Sequence, residues 1–313
     1  FPAHEDFVHD VAFDVYGRRL ATASSDHHIK VWERAPDGTW TLQADWQAHS
    51  GPIWRLSWAH PEYGQVIASC SFDHTVQIWE EQGSCLCMCF GSACSTFIDA
   101  GRVTSKWPPC AQLGDARQSV KAVEFSPRHL GLKLATASED GYVRVYEAVD
   151  VTNVKHWGLE HAMEVDPAGA ECVSWNQSRF DAPTLVVGGM SGIIQIWSYN
   201  SSTRKWRCTL ELDRGAARGP VHDVAWAPSL GRSFHLIAAA CKDCVVRLWK
   251  VTLEGGECKM DAFPDLDDHA AEVWRVSWNV TGSMLASTAD DGRVRMWKQD
   301  LRGSWICVAT VGG

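Results

Sequence analysis

The chain lacks any run of eighteen or more apolar residues, so no helix is predicted to span a membrane. It also has no excess of basic residues. The formal net charge of -9 at pH 7 argues against a nucleic-acid groove, which needs clustered Lys and Arg to displace counterions. The first six residues, Phe-Pro-Ala-His-Glu-Asp, do not read as a signal peptide. Because they include no initiator Met, we expect the chain to be a trimmed fragment.

Motifs for nucleotide or cofactor chemistry are missing as well. No Gly-rich phosphate loop follows a strand and opens a helix, so no cofactor is predicted. The pairs His9-Asp10 and His222-Asp223 could form catalytic dyads, and a hydrolase with a metal at a channel mouth stays an alternative. However, Trp54-Arg55 and Trp274-Arg275 hold the same place in two other repeats. This favours core or channel lining, or a Trp- and Arg-rich peptide-binding face. We therefore predict no enzyme and no catalytic, cofactor-binding or metal residues.

Twelve cysteines are present, and two groups have spacings that suggest chemistry. Four of them lie close enough together to hold Zn²⁺: Cys85, Cys87, Cys89 and Cys94. The Cys-x-Cys-x-Cys spacing is unusual for zinc, so we interpret residues 83–112 as a variable, Cys-rich insertion, with an error in the gene sequence as the alternative. Cys241 and Cys244 have the redox spacing, but no helix N-terminus is expected there to lower a thiol pKa. Free cysteines in strand-like runs fit a reducing compartment.

What the sequence does contain is one unit repeated six times. Each unit starts with a run of the form Val-x-x-Val-x-aromatic, at 8–13, 53–58, 120–125, 170–175, 221–226 and 273–278. About twenty residues later, a second strand-like run ends in an aromatic: Trp32, Trp79, Tyr146, Trp197, Trp249 and Trp297. Such self-similarity is typical of stacked blades or a solenoid, and chains of this kind usually present a surface to other proteins and are seldom enzymes.

The first unit contains four strand-like runs separated by turns, which is the content of one β-propeller blade. Six positions before each terminal aromatic stands a turn residue, an Asp in five units and a Ser, which makes a weaker turn bond, in the other: Asp26, Asp73, Asp140, Ser191, Asp243 and Asp291. We therefore predict an all-β, six-bladed β-propeller. The predicted blades span about 4–46, 49–112, 116–165, 168–213, 218–263 and 269–311.

The ends of the chain suggest that the ring is unfinished. The sixth unit is complete within itself, and only seven residues precede Val8, so little chain is left for a clasp and none for a seventh blade. If the ring is spaced for seven, apolar blade faces and free strand edges need a cover. A partner that donates strands would supply it by β-augmentation, with an obligate interface of roughly 2,000 Å² or more. Trimming of an N-terminal strand would produce the same pattern.

These units resemble the WD-repeat family, whose blades end near Trp-Asp. The second residue of that pair varies here: Glu33, Glu80, Glu147, Ser198, Lys250 and Lys298. The His of the family's Gly-His element has candidates only at His4, His49 and His269. We therefore expect Trp packing and backbone ladders to hold the blades more than a complete polar network in each.

Longer stretches are similar to a small family of six-bladed coat scaffolds, the Seh-type nucleoporins and their COPII paralogue. The resemblance covers almost the whole chain and fails only at about 82–112; it is carried by residues 9–13, 17–22, 58–73 and 273–278. Residues 203–206 and 230–236 favour the nucleoporin branch.

The resemblance implies an open propeller that receives a blade in trans from the N-terminal region of an elongated helical nucleoporin. It implies a non-catalytic scaffold of the Y-shaped nuclear pore coat complex, at the nuclear envelope, in the service of protein and mRNA transport. It also implies a role in a coat-like complex that regulates TOR nutrient signalling at the vacuolar or lysosomal membrane. The COPII outer coat of ER-to-Golgi transport is the alternative. By position, the partner-binding edge would include Phe7, Val8, Val11, Trp305, Ile306 and Val308.

Overall fold

The computed structural model describes residues 4–82, 105–212, 219–254 and 257–312. Within these ranges the fold is all-β: 24 strands form six four-stranded sheets, accompanied by two short 3-10 turns, Pro61–Tyr63 and Arg128–Leu130. The predicted all-β, six-bladed propeller is therefore confirmed. No helix among the described residues is long and apolar enough to cross a membrane.

The six sheets follow one another along the chain, each built from four consecutive strands. Sheet one holds β1 (Val8–Phe13), β2 (Arg19–Ser24), β3 (His28–Arg34) and β4 (Trp40–Gln47). Sheet two holds β5 (Ile53–Trp58), β6 (Val66–Ser71), β7 (Val76–Glu80) and β8 (Pro109–Leu113). Sheet three holds β9 (Val120–Phe125), β10 (Lys133–Ser138), β11 (Tyr142–Ala148) and β12 (Trp157–Glu164).

The remaining strands continue the pattern. Sheet four holds β13 (Ala170–Trp175), β14 (Thr184–Gly189), β15 (Ile194–Asn200) and β16 (Lys205–Glu211). Sheet five holds β17 (Val221–Trp226), β18 (His235–Cys241), β19 (Val246–Glu254) and β20 (Glu257–Ala262). Sheet six holds β21 (Val273–Trp278), β22 (Met284–Ala289), β23 (Arg293–Gln299) and β24 (Trp305–Gly312).

By their contacts, the residues fall into two compact units. The N-terminal unit comprises Phe1–Phe125 and Ala148–Gly158, and the C-terminal unit comprises Ser126–Glu147 and Leu159–Gly313. Sheets one and two lie in the N-terminal unit, sheets four to six lie in the C-terminal unit, and the strands of sheet three are divided between them.

The six Val-x-x-Val-x-aromatic runs coincide with the first strand of each sheet. In five sheets this strand carries a β-bulge between its first and third residues, as at Val8/Asp10 and Val221/Asp223. In a regular strand, residues three apart face opposite sides. The extra residue of a bulge returns them to the same side. The bulge therefore explains why apolar residues three positions apart recur at the start of these five units.

This shared side of the first strand packs on the preceding sheet. In the N-terminal unit, Ile53 and Leu56 of β5 belong to one buried cluster with Ala21, Ile29 and Val31 of sheet one. In the C-terminal unit, the two residues at the same places in β17 join a cluster with sheet four, and those of β21 join a cluster with sheet five. Sheets two, five and six thus each cover the apolar face of the sheet before them.

The predicted insertion at 83–112 is shorter than expected. Residues 109–113 form β8, the fourth strand of sheet two, which pairs with β7. Trp107 is only 6% exposed and belongs to the same core cluster as Ile53. The end of the Cys-rich segment is therefore part of the sheet, while Cys85, Cys87, Cys89 and Cys94 lie outside the described residues.

Candidate protein-binding interface

The turn between the second and third strands holds the predicted turn residues, and in sheet two it anchors a chain of four hydrogen-bonded side chains. Nδ1 of His49 lies 2.9 Å from Oδ2 of Asp73, and its Nε2 lies 2.7 Å from the hydroxyl of Ser69. The same hydroxyl accepts a hydrogen bond of 2.9 Å from Nε1 of Trp79. The chain ties the segment before the sheet to the turn and to the terminal aromatic.

Sheets one and six repeat this arrangement. In sheet six, His269 lies 3.1 Å from Asp291 and 2.7 Å from the hydroxyl of Ser287, which accepts a hydrogen bond of 2.8 Å from Trp297. In sheet one the same places are taken by His4, Asp26, Thr22 and Trp32. The three histidines singled out by the sequence therefore all belong to such chains.

The carboxylates of these chains are held in their ionised form. Burial alone would raise the pKa of Asp73, but hydrogen bonds from His49 and Thr75 outweigh it and hold that pKa well below its usual range. A hydrogen bond from Arg295 lowers the pKa of Asp291 to about 2. A carboxylate that stays charged at neutral pH serves as a permanent acceptor and not as a general acid.

Sheets three and five use an arginine of the third strand instead. Nη2 of Arg144 lies 2.7 Å from Oδ2 of Asp140, and Nη1 of Arg247 donates to Oδ1 of Asp243 at 3.1 Å. Both arginines are buried. These arginines were not predicted, although the sequence contains a signal: in two of the three units that lack the His, Arg stands two positions before the terminal aromatic.

Sheet four keeps a hydrogen bond between the same two positions, but the carboxylate now lies before the first strand and the donor lies at the turn. Asp166 stands four residues before the first strand, where other sheets have His, and Ser191 stands at the turn position where they have Asp. The backbone N–H and the hydroxyl of Ser191 donate to Oδ2 of Asp166 at 2.9 and 2.7 Å. Gly189 makes room, because a Cβ there would collide with the Asp166 carboxylate.

The residue after each turn position has a left-handed backbone conformation, with φ from 67° to 88°: His27, His74, Gly141, Gly192, Cys244 and Gly292. Tight turns need this conformation, which glycine adopts most readily. It follows that Cys241-Lys242-Asp243-Cys244 spans a hairpin turn. Burial raises the pKa of the Cys241 thiol to about 11, which removes the thiolate that redox chemistry requires.

Most of the predicted terminal aromatics lie in the core. Trp79, Tyr146, Trp249 and Trp297 are nearly or completely buried, whereas Trp32 and Trp197 are half-buried. The indole of Trp197 donates a hydrogen bond of 3.0 Å to Gln195 of the same strand. These residues are structural parts of their sheets.

Sheet one differs from the other five at its first strand. The first residue of that strand is at most 1% exposed in sheets two to six, whereas Val8 of β1 is 45% exposed. The fourth residue is at most 5% exposed in the other sheets, whereas Val11 is 50% exposed. Phe7 and Phe13 are exposed as well, at 78% and 57%. The side that elsewhere meets a preceding sheet is open in sheet one.

Sheet six differs on its opposite side, the one that elsewhere meets a following sheet. In sheet one the residues on that side are at most 1% exposed: Ala21, Ala23, Ile29 and Val31. The same places in sheet six are all partly exposed: Ala286, Thr288, Val294 and Met296. Along β24, Ile306, Val308 and Val311 are 46%, 47% and 52% exposed. Sheet six therefore presents a second open apolar surface.

Trp305 does not share this exposure, contrary to its predicted place on the partner-binding edge. It is 8% exposed, and its ring packs edge-on against Phe263 and Trp278 at centroid distances of 6.3 and 5.5 Å. The indole is large enough to reach the sheet-five cluster, so it belongs to the core. We leave it out of the candidate interface.

The aspartates of the two His-Asp pairs accept hydrogen bonds from the backbone of the next sheet. Oδ2 of Asp10 accepts the backbone N–H of Leu56 at 2.7 Å, and Oδ2 of Asp223 accepts that of Val276 at 3.1 Å. A hydroxyl two positions farther along the first strand can make a similar contact, as Ser57 does by accepting the backbone N–H of Phe125 at 3.0 Å. Within each unit, the first strand of one sheet thus reaches forward to the first strand of the next.

The Trp-Arg positions also join neighbouring strands within their own units. Trp54 lies against His9 with a ring-centroid distance of 4.7 Å, and Lys121 lies 4.3 Å above its ring. Trp274 stacks on His222 at 4.1 Å. Among the residues that the structure describes, no group of three or more His, Cys, Asp or Glu side chains is arranged to hold a metal ion.

Comparison with known proteins assigns the family. Over 99% of its length the chain is 43% identical to nucleoporin SEH1-A of Xenopus laevis, covering 86% of that protein. Nucleoporin SEH1 of Homo sapiens gives the same identity and coverage, and that of Danio rerio is 43% identical with 85% covered. The chain belongs to the Seh-type family of WD-repeat nucleoporins.

The repeat assignment of this Seh-type nucleoporin agrees with its sheets. The WD domain, G-beta repeat family matches residues 1–33, 40–80, 107–147 and 263–298. Those segments fall on sheets one, two, three and six. Sheets four and five have the same four-stranded order without such a match.

Proposed function

We propose that this Seh-type nucleoporin is a non-catalytic scaffold of the Y-shaped coat complex of the nuclear pore, at the nuclear envelope. In this proposal an elongated helical nucleoporin binds it by donating a β-blade in trans. The observation that carries the proposal is the exposure of Val8 and Val11, at places that are buried in all five other sheets. The proposed blade would cover that side of sheet one as sheet four covers the first strand of sheet five and sheet five that of sheet six.

The open side of sheet six supports the same kind of partner. Its partly exposed residues are apolar or small, and they lie at places where the other sheets bury such side chains under a following sheet. Leaving them in water forgoes about 25 cal/mol for each Å² of apolar surface that could be buried. A blade-sized partner would recover this energy over an interface of obligate size, roughly 2,000 Å² or more.

A co-purification experiment with a matched control tests the proposal. The chain is co-expressed with the N-terminal region of the candidate helical nucleoporin, and the complex is followed by size-exclusion chromatography. The double variant Val8→Asp/Val11→Asp should fold but bind at least about tenfold more weakly, because it places charges on the covered side. Val15→Asp changes a valine that is 63% exposed in the turn after β1 and should bind normally. Equal binding by the double variant and the wild type would contradict the proposal.

Localisation separates the alternative assemblies. Because the relatives reported above carry the nucleoporin name, we propose the nuclear pore as the site of action. The TOR-linked coat complex and the COPII coat stay predictions from the resemblance. A fluorescent tag at the native locus should mark the nuclear rim. Signal at endoplasmic reticulum exit sites without a rim would favour the COPII coat, and signal on lysosomes would favour the TOR-linked complex.

A further inference from the structure

Four loops of the C-terminal unit connect the first strand of a sheet to its second strand: 126–132, 176–183, 227–234 and 279–283. We refer to them as the strand 1–2 loops. They are joined side by side. Leu130 and Pro183 line one small cleft, Nε2 of His235, directly after the third loop, lies 3.1 Å from Oδ2 of Asp181, and Arg232 donates to the Gly282 carbonyl at 2.8 Å. The loops therefore form one continuous rim.

Three consecutive loops of this rim each carry one strongly exposed apolar side chain. Phe180 is 99% exposed, Leu230 is 66% exposed and Val280 is 84% exposed. Single exposed apolar residues are normal on protein surfaces. A recurrence at the tip of the same loop in three neighbouring sheets is not explained by packing, because each tip faces water.

The charge of the rim is opposite to that of the whole chain. The four loops contain three arginines and one aspartate, and that aspartate, Asp181, is paired with His235. The turns between the second and third strands of the same four sheets contain five acidic residues and one lysine: Glu139, Asp140, Asp243, Asp290, Asp291 and Lys242. Successive connections of a meander leave it at opposite ends. The basic rim and the acidic turns therefore lie at opposite ends of these sheets.

From this combination we propose that the strand 1–2 loops of the C-terminal unit dock on an anionic phospholipid surface. Apolar tips on a rim that also exposes Arg128 and Arg179 suit the boundary between headgroups and acyl chains, where the tips enter the apolar layer and these two guanidinium groups contact phosphates. Arg232 instead donates to the carbonyls of Pro228 and Gly282 within the rim. Sites for protein partners usually gather their anchors in well-packed pockets. Each tip here lies on a different loop and is largely exposed, which favours a deformable lipid surface.

Vesicle co-sedimentation of the full chain tests this docking. Phosphatidylcholine vesicles with added phosphatidylserine should pellet the wild type, and pure phosphatidylcholine should pellet much less. Raising the salt concentration should weaken the binding, since the charge attraction is screened. The triple variant Phe180→Ser/Leu230→Ser/Val280→Ser should lower the partition coefficient by about tenfold or more. Arg179→Ala should reduce the preference for the anionic vesicles.

Two controls keep the test decisive. Phe72→Ser removes a half-exposed aromatic from a turn between second and third strands and should leave vesicle binding unchanged. If thermal unfolding shows that the triple variant is not folded, Phe180→Ser alone replaces it. Sedimentation of the triple variant at the wild-type level would overturn the proposal. So would failure of the wild type to bind either vesicle type, even if the loops captured an acidic protein instead.

Discussion

Strands β1 and β17 share five of their six residues, Val-His-Asp-Val-Ala, yet they lie in opposite environments. Val221 and Val224 of β17 are at most 3% exposed because sheet four packs against them. Val8 and Val11 of β1, at the same places, are about half exposed, at 45% and 50%. Both strands therefore have residues suited to burial. Whether these residues are buried depends on whether a neighbouring sheet covers them.

Charge at the fourth position should produce the largest difference between the two strands. Val224→Asp places a carboxylate in a closed apolar cluster and should lower the free energy of unfolding by about 4 kcal/mol or more. Val11→Asp at a half-exposed place should cost no more than about 0.5 kcal/mol. Urea unfolding of both variants measures the two values. Similar losses would show that sheet one is sealed in solution.

Removing the aspartate should make the strands behave alike. Asp10 and Asp223 both accept a backbone N–H of the next sheet, so Asp10→Ala and Asp223→Ala should each cost about 1–3 kcal/mol. Asp→Asn keeps an acceptor oxygen and should cost less in both strands. If the cost differed as sharply as it does for the valines, the forward contact of sheet one would be weaker than its distance indicates.

The histidine of β17 should have the smallest effect. Burial lowers the pKa of His222 below its usual value of 6.5, although Glu272 opposes the shift. The unfolded chain therefore binds the proton more readily, so stability is complete above that value and falls as the pH drops below it. His222→Gln should remove less than about 1 kcal/mol of this decline between the usual value and about pH 5. An unchanged pH dependence, measured by thermal unfolding, would exclude His222 as its source.

Much of the fold could be predicted from the sequence because the repeat is local. The spacing seen at Val8, Val11 and Phe13 recurs in each unit and correctly predicted its first strand. The turn aspartates correctly predicted the hairpins. The bulge was not predicted, since alternation alone would put Val8 and Val11 on opposite sides. The exposure of β1 could not be read from its residues either, because nearly the same residues are buried in β17.

The polar network was predicted only where it follows the family pattern. His49 and His269 were found, whereas Arg144 and Arg247, which replace the missing His, were not. The exchange of groups between Asp166 and Ser191 was also missed. These replacements keep the hydrogen bond at the turn but change the residue types that form it. A search for His at one position therefore does not find them. Trp305 was misplaced for a different reason, since the reach of a large side chain depends on the neighbouring sheet.

The forward contacts of the first strands run in one direction along the chain. Asp10 holds Leu56 and Asp223 holds Val276, and in both cases the giver precedes the receiver. Joints of this head-to-tail kind do not specify how many members a row contains. For the proposed blade from another polypeptide, it follows that a first strand with an acceptor at the same place would supply the contact that β1 lacks on its open side.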